Sequence, residues 1–128
     1  MYKYILSCLI MFISSFCFSS DTVIENIRIS ENNGINRIVL DLNTEVPFSS
    51  FVLENKPRLV IDIEANKIKK VKMKATSLIS SFRIGNPDPG VFRIVFDLKR
   101  NAYIKKSFFL KKTNNKSDRI VIDLAISN

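Results

Sequence analysis

The chain has no histidine and no tryptophan, and only two cysteines, Cys8 and Cys17, among its 128 residues. Without histidine there can be no His-based zinc site and no Ser-His-Asp or Cys-His nucleophile. Both cysteines fall in an apolar N-terminal stretch. The rest of the chain therefore has neither a disulfide framework nor thiol chemistry to offer. Glycine occurs three times and proline four. Pro47, Pro57, Pro87 and Pro89 all sit in turns or at strand starts, the places a sheet tolerates them. No segment beyond that apolar stretch carries a convincing helical period. Acidic residues are also scarce: 12 Asp and Glu against 20 Lys and Arg, for a formal charge of +8.

What is present begins with an address. Lys3 precedes an apolar run from Tyr4 to Phe18, interrupted only by Ser7, Ser14 and Ser15 and ending in serines. One positive charge, an apolar centre and a small-residue end describe a secretory signal peptide over residues 1–19, cleaved after Ser19. The run is shorter than the roughly 20 residues a spanning helix needs, so contact with a membrane is expected only through an uncleaved leader. The expected location is the periplasm. Residues 20–128 are then one small domain's worth of sequence, long enough for a single apolar core. Lysines gather at Lys67, Lys69, Lys70, Lys72 and Lys74, and again at Lys105, Lys106, Lys111, Lys112 and Lys116. Such a balance suits polyanionic partners, though lysines also serve to solvate loops and blunt sheet edges. Export makes nucleic acid an unexpected partner.

One six-residue pattern recurs four times: Arg37-Ile-Val-Leu-Asp-Leu42, Arg58-Leu-Val-Ile-Asp-Ile63, Arg93-Ile-Val-Phe-Asp-Leu98 and Arg119-Ile-Val-Ile-Asp-Leu124. Each copy is too short for a helix, rich in branched aliphatics and bounded by turn formers, which marks a strand. Alternation puts Ile38, Leu40 and Leu42 on one face, with Arg37, Val39 and Asp41 on the other. Arg and Asp of one copy lie about 13 Å apart at the usual rise per residue. Two copies paired antiparallel and in register bring each Arg opposite the partner's Asp. Parallel pairing would place like charges together. Exposed pairs contribute only about 0–1 kcal/mol each, so their value is in fixing register, since a one-residue slip turns the apolar face outward.

The repeat is nested. Ile27-Arg28-Ile29 precedes the first copy and Phe82-Arg83-Ile84 the third, each followed by a turn-forming stretch ending in Gly34 or Gly90. Phe51-Val-Leu53 precedes the second copy and Phe108-Phe-Leu110 the fourth. Residues 23–63 thus align with residues 78–124, each half reading as strand, turn, motif strand, strand, turn, motif strand. Four strands with one apolar face need a second sheet to cover it. The expected fold is all-β: a pseudo-symmetric sandwich of two four-stranded sheets, with the basic linker 64–77 as a crossover or short edge strand.

These half-repeats resemble the AMIN domain, in both the first half and the second, where Phe82-Arg-Ile-Gly85 stands ahead of Phe92-Arg-Ile-Val-Phe-Asp-Leu98. The resemblance implies a periplasmic β-sandwich found at the N-terminus of N-acetylmuramoyl-L-alanine amidases and in secretins, where it binds peptidoglycan and localises the protein. It implies a non-catalytic role here, with no cofactor and no metal, since the zinc hydrolase domain of such amidases is not expected in this chain. Repeated, symmetric aspartates also suit a scaffold better than an acid–base pair needing two different environments. Expected partners are peptidoglycan and a separately encoded amidase or envelope complex, the latter docked along open sheet edges. For ligand binding, Arg28 and Arg83 come first and Arg37, Arg58, Arg93 and Arg119 next, because a guanidinium fork fits the carboxylates of peptide stems. The competing role for all six is pairing with Asp41, Asp62, Asp97 and Asp123.

Overall fold

The computed structural model describes residues 21–127. The expected leader and its cleavage point lie outside the described residues. Nine strands are present among them: β1 Val23–Asn32, β2 Ile35–Leu42, β3 Phe48–Leu53, β4 Arg58–Glu64, β5 Lys67–Ile68, β6 Ile79–Asp88, β7 Val91–Leu98, β8 Ala102–Leu110 and β9 Asp118–Ile126. They form a five-stranded sheet in the order β5-β1-β2-β9-β8 and a four-stranded sheet in the order β3-β4-β7-β6. The sandwich is the one the repeat implies, with the two-residue β5 added to one edge. That addition is the basic linker: it pairs in parallel with the start of β1, through Val23 and Ile24, while Ile68, Val71 and Met73 pack against the core.

The unit of duplication is not a sheet. Each half gives one hairpin to each layer: β1-β2 and β3-β4 from the first half, β6-β7 and β8-β9 from the second. The pairing of the motif strands shows the exchange. β2 pairs antiparallel with β9, and β4 with β7, in the register that sets Arg37 against Asp123, Asp41 against Arg119, Arg58 against Asp97 and Asp62 against Arg93. Copy one has joined copy four, and copy two has joined copy three. A pseudo-twofold axis therefore exchanges the two sheets, and it passes where the hydroxyls of Ser50 on β3 and Ser107 on β8 meet at 3.4 Å.

The alternation holds throughout. The inward residues of the four copies (Ile38, Leu40, Leu42; Leu59, Ile61, Ile63; Ile94, Phe96, Leu98; Ile120, Ile122, Leu124) are all buried. Burying such side chains is worth roughly 1.5–3 kcal/mol each. Two hairpins are closed by the expected punctuation. Asn33 and Gly34 have φ of 52° and 78°, the double left-handed turn that Asn-Gly favours between twisted strands. Gly90, with φ of 79°, follows Pro89 in the other half, as a type II turn requires.

One inward position departs from the pattern. Asn36 on β2 is fully buried, and neither polar atom of its side chain has a hydrogen-bond partner among the described residues. Its counterpart one residue before Arg93 is Phe92, which packs against the core. An unsatisfied buried amide costs about 1–3 kcal/mol. Asn36→Val, apolar and β-branched, is expected to raise the melting temperature by several degrees; a lower melting temperature would show that Asn36 is satisfied in solution.

Candidate ligand-binding faces

The outward residues of each sheet form rows across neighbouring strands, and the rows of the two sheets match. In the five-stranded sheet, Arg28, Val39, Val121 and Phe108 stand side by side across β1, β2, β9 and β8. In the four-stranded sheet the same row reads Arg83, Val95, Val60 and Phe51. The neighbouring row runs Asp41, Arg119, Leu110 in one and Asp97, Arg58, Leu53 in the other. Each face thus repeats a Phe and a Leu on the outer strand beside a motif arginine. Phe51, Leu53 and Leu110 are all exposed.

The six candidate arginines divide into two kinds. Arg37 donates from Nε and a terminal nitrogen to both carboxylate oxygens of Asp123, at 2.8 and 2.9 Å. Arg93 does the same to Asp62, at 2.8 and 3.0 Å. These are the cross-strand pairs that the register implies. The hydrogen bonds from the guanidinium hold Asp123 and Asp62 below the ordinary carboxylate range and raise Arg37 and Arg93 in turn.

The other two cross-strand pairs do not form. Asp41 accepts two bonds of 2.8 Å from Arg28, and Asp97 accepts one of 3.0 Å from Arg83. Both arginines reach diagonally from the neighbouring strand, β1 or β6, a distance that long side chains span readily. Ser117 and Ser81 add hydroxyl bonds to Asp41 and Asp97. Arg119 and Arg58, the residues directly opposite these aspartates, turn away instead. Nε of each donates to the carbonyl oxygen two residues earlier, Ser117 and Lys56, at 3.2 and 3.1 Å. Neither makes an ion pair among the described residues. The same departure occurs in both halves, so it belongs to the duplicated design.

Arg28 and Arg83 therefore stand where the sequence put them, at equivalent places outside the motif, but each is engaged by a motif aspartate. Arg58 and Arg119 keep guanidinium donors uncommitted to a carboxylate. The sequence did not mark out the apolar companions, Phe51 with Leu53 and Phe108 with Leu110. The signal was available: the short turn before Pro57-Arg58 pairs Leu53 with Arg58, and parity then sends Phe51 outward with them.

A cleft of about 480 Å³ lies at the Arg119 end of the five-stranded face, with Arg28, Asp41, Lys69, Lys116, Ser117 and Arg119 among its lining. At the other end a cleft of about 390 Å³ is lined in part by Ser30, Asn32, Arg37, Lys105, Lys106 and Asp123. The four-stranded face has a cleft of about 370 Å³ where Ser49, Asp62, Glu64 and Asp88 meet. No group of three or more acidic, Cys or His side chains that could hold a metal ion occurs among the described residues.

Comparison with known proteins gives this geometry a family. The AMIN domain family model matches residues 26–124. N-acetylmuramoyl-L-alanine amidase AmiC of Escherichia coli O6:H1 (strain CFT073) is 30% identical over 109 residues, which cover 80% of this chain and 26% of the amidase. AmiC of Neisseria meningitidis serogroup B (strain MC58) is 30% identical over 104 residues, covering 76% and 25%. The chain thus spans about a quarter of the length of the curated relatives it matches. The repeated motif, the two exchanged hairpins and the match across both halves belong together: this chain is a member of the AMIN domain family.

Proposed function

We propose that this protein is a non-catalytic module that binds peptidoglycan in the periplasm and localises there whatever it is joined to or accompanies. The observation that carries the reading is the match of residues 26–124 to the AMIN domain, shared with two enzymes named as N-acetylmuramoyl-L-alanine amidases. The apolar leader supports the compartment. Absence of histidine from the sequence removes the usual ligands and bases of a zinc hydrolase.

The binding surface is the outward side of the motif strands. There Arg119 and Arg58 offer guanidinium forks to carboxylates, and the neighbouring Phe and Leu offer apolar ground for sugar rings or alkyl stems. The reading rests on the division of the arginines: those paired with aspartate hold register, and those left over meet the ligand. Co-sedimentation with isolated sacculi at moderate salt tests it. The protein is expected in the pellet, and its retention in the supernatant would remove the proposal.

A further inference from the structure

The pseudo-twofold axis makes each face a control for the other, and their charges do not match. The cleft at the Arg37 end of the five-stranded face has three cations, Arg37, Lys105 and Lys106, in its lining against one carboxylate, Asp123. The equivalent cleft on the four-stranded face is lined by three carboxylates, Asp62, Glu64 and Asp88, against a single cation beside it, Arg93, the counterpart of Arg37, which is paired with Asp62. The substitutions can be followed position by position. Lys106 lies opposite Asp123, where Ser49 lies opposite Asp62. Asn32 lies opposite Ile35, where Asp88 lies opposite Val91. Ala125, six residues past Arg119, stands where Glu64 stands six past Arg58.

Lys105 has no counterpart at all. The register of β8 shifts between Ile104 and Lys106, whereas β3 runs unbroken against β4. The bulge inserts one residue, and that residue is a lysine. Bulges of this kind re-aim side chains. Because the same scaffold carries either charge, the fold does not require these lysines. They form no ion pair among the described residues, and both are exposed. Asp123 is held through both oxygens by Arg37 and feels Lys105 and Lys106 only through space, so one carboxylate faces three cations and positive charge remains in surplus.

The surplus continues along the same face. Beyond the Val39–Val121 pair, the second cleft adds Lys69, Lys116 and Arg119, none of which has a carboxylate partner among the described residues, against one further carboxylate, Glu25, since Asp41 is paired with Arg28. The two cationic ends are separated by the Arg-to-Asp span of one motif, about 13 Å. A ligand with repeated anionic groups can touch both; a single small anion cannot.

We infer that the outward face of the five-stranded sheet is a track for an anionic polymer bearing repeated carboxylates or phosphates, and that the four-stranded face, where Arg58 is the one uncommitted guanidinium among the described residues, offers a single contact and no track. The inference deepens the proposed wall binding by placing the anionic groups of the ligand on one face, and it rests on that reading only for the natural source of the polymer. Charge complementarity decides the occupant: the acidic cleft of the opposite face repels the same ligand.

The test uses two soluble probes, hexaglutamate for carboxylates and hexametaphosphate for phosphates, titrated into the purified protein at low and moderate salt. At least one is expected to bind, more weakly as salt rises. Lys105→Glu/Lys106→Glu should weaken it tenfold or more. Lys70→Glu/Lys72→Glu, an equal change of net charge on the exposed linker, should stay within about twofold, since only local charge escapes screening. Amide shifts of the unmodified protein on titration should cluster on β8 and around Arg37, which guards against a variant that fails to fold. Equal losses from the two double variants, shifts centred on Asp62 and Asp88, or no binding of either probe would overturn the inference. So would salt-sensitive self-association of the protein through its two opposite clefts with no polymer bound. Binding of a probe without sedimentation on sacculi would reject the wall reading and leave this inference standing.

Discussion

Phe96→Ala is expected to remove about 3–5 kcal/mol of folding stability, the range for deleting a buried phenylalanine. Phe96 is fully buried and heads the largest buried side chains. It sits on β7, an inner strand of the four-stranded sheet, with its ring centroid 6.1 Å from that of Phe82 at a tilt of 32°. Truncation would leave a cavity in the middle of the sandwich and also forfeit the aromatic pair, itself worth about 0.5–1.5 kcal/mol. A small domain has only about 5–15 kcal/mol in total, so the variant should melt lower by about 15 °C or more. Urea unfolding with an unchanged slope would confirm a loss of stability rather than of compactness. A loss below about 1 kcal/mol would mean that the two layers do not close on Phe96.

The second large effect concerns register. Arg37→Asp would set two carboxylates opposite each other on β2 and β9, one of them the nearly buried Asp123. The variant loses two charge-assisted bonds and gains repulsion. Because the Arg37 side chain is itself half exposed, solvent moderates the cost, and about 2 kcal/mol is a reasonable expectation. Exchanging the partners, Arg37→Asp with Asp123→Arg, restores the pair in reversed polarity and should recover most of that loss, leaving a coupling energy of about 1 kcal/mol or more in the cycle. Thermal denaturation of the four proteins measures it. Additive losses with no recovery would show that the paired charges are incidental to the strand alignment.

The same contrast explains how much of the molecule could be read from its residues. The four motif copies carry their own strand assignment, core face and pairing register, because alternation and like-charge avoidance leave a single antiparallel solution. All twelve inward motif residues are buried accordingly. Which copies pair was not legible, because the charges would satisfy any antiparallel pair of copies alike. The exchange of hairpins between layers follows from connections that local pattern does not encode. Nor could spacing alone show that Arg28 and Arg83 capture Asp41 and Asp97 from the next strand. That depends on a diagonal reach across the sheet and on Arg119 and Arg58 turning back to a carbonyl. Lys105 stood in a lysine cluster that composition could explain, and only the register shift in β8 singles it out.

The arginine division is tested most directly by sacculus co-sedimentation of two double variants, with their melting temperatures measured beside it. Arg58→Ala/Arg119→Ala removes the uncommitted guanidiniums. It should weaken binding about tenfold, the equivalent of roughly 1.4 kcal/mol in lost charge-assisted bonds, with little change in melting temperature. Most of that loss should come from Arg119→Ala alone. Arg28→Ala/Arg83→Ala breaks pairs that hold the sheet and should lower the melting temperature by a few degrees while sedimentation persists. The reverse pattern, with binding lost on removing Arg28 and Arg83 and kept without Arg58 and Arg119, would contradict the assignment of scaffold and ligand roles.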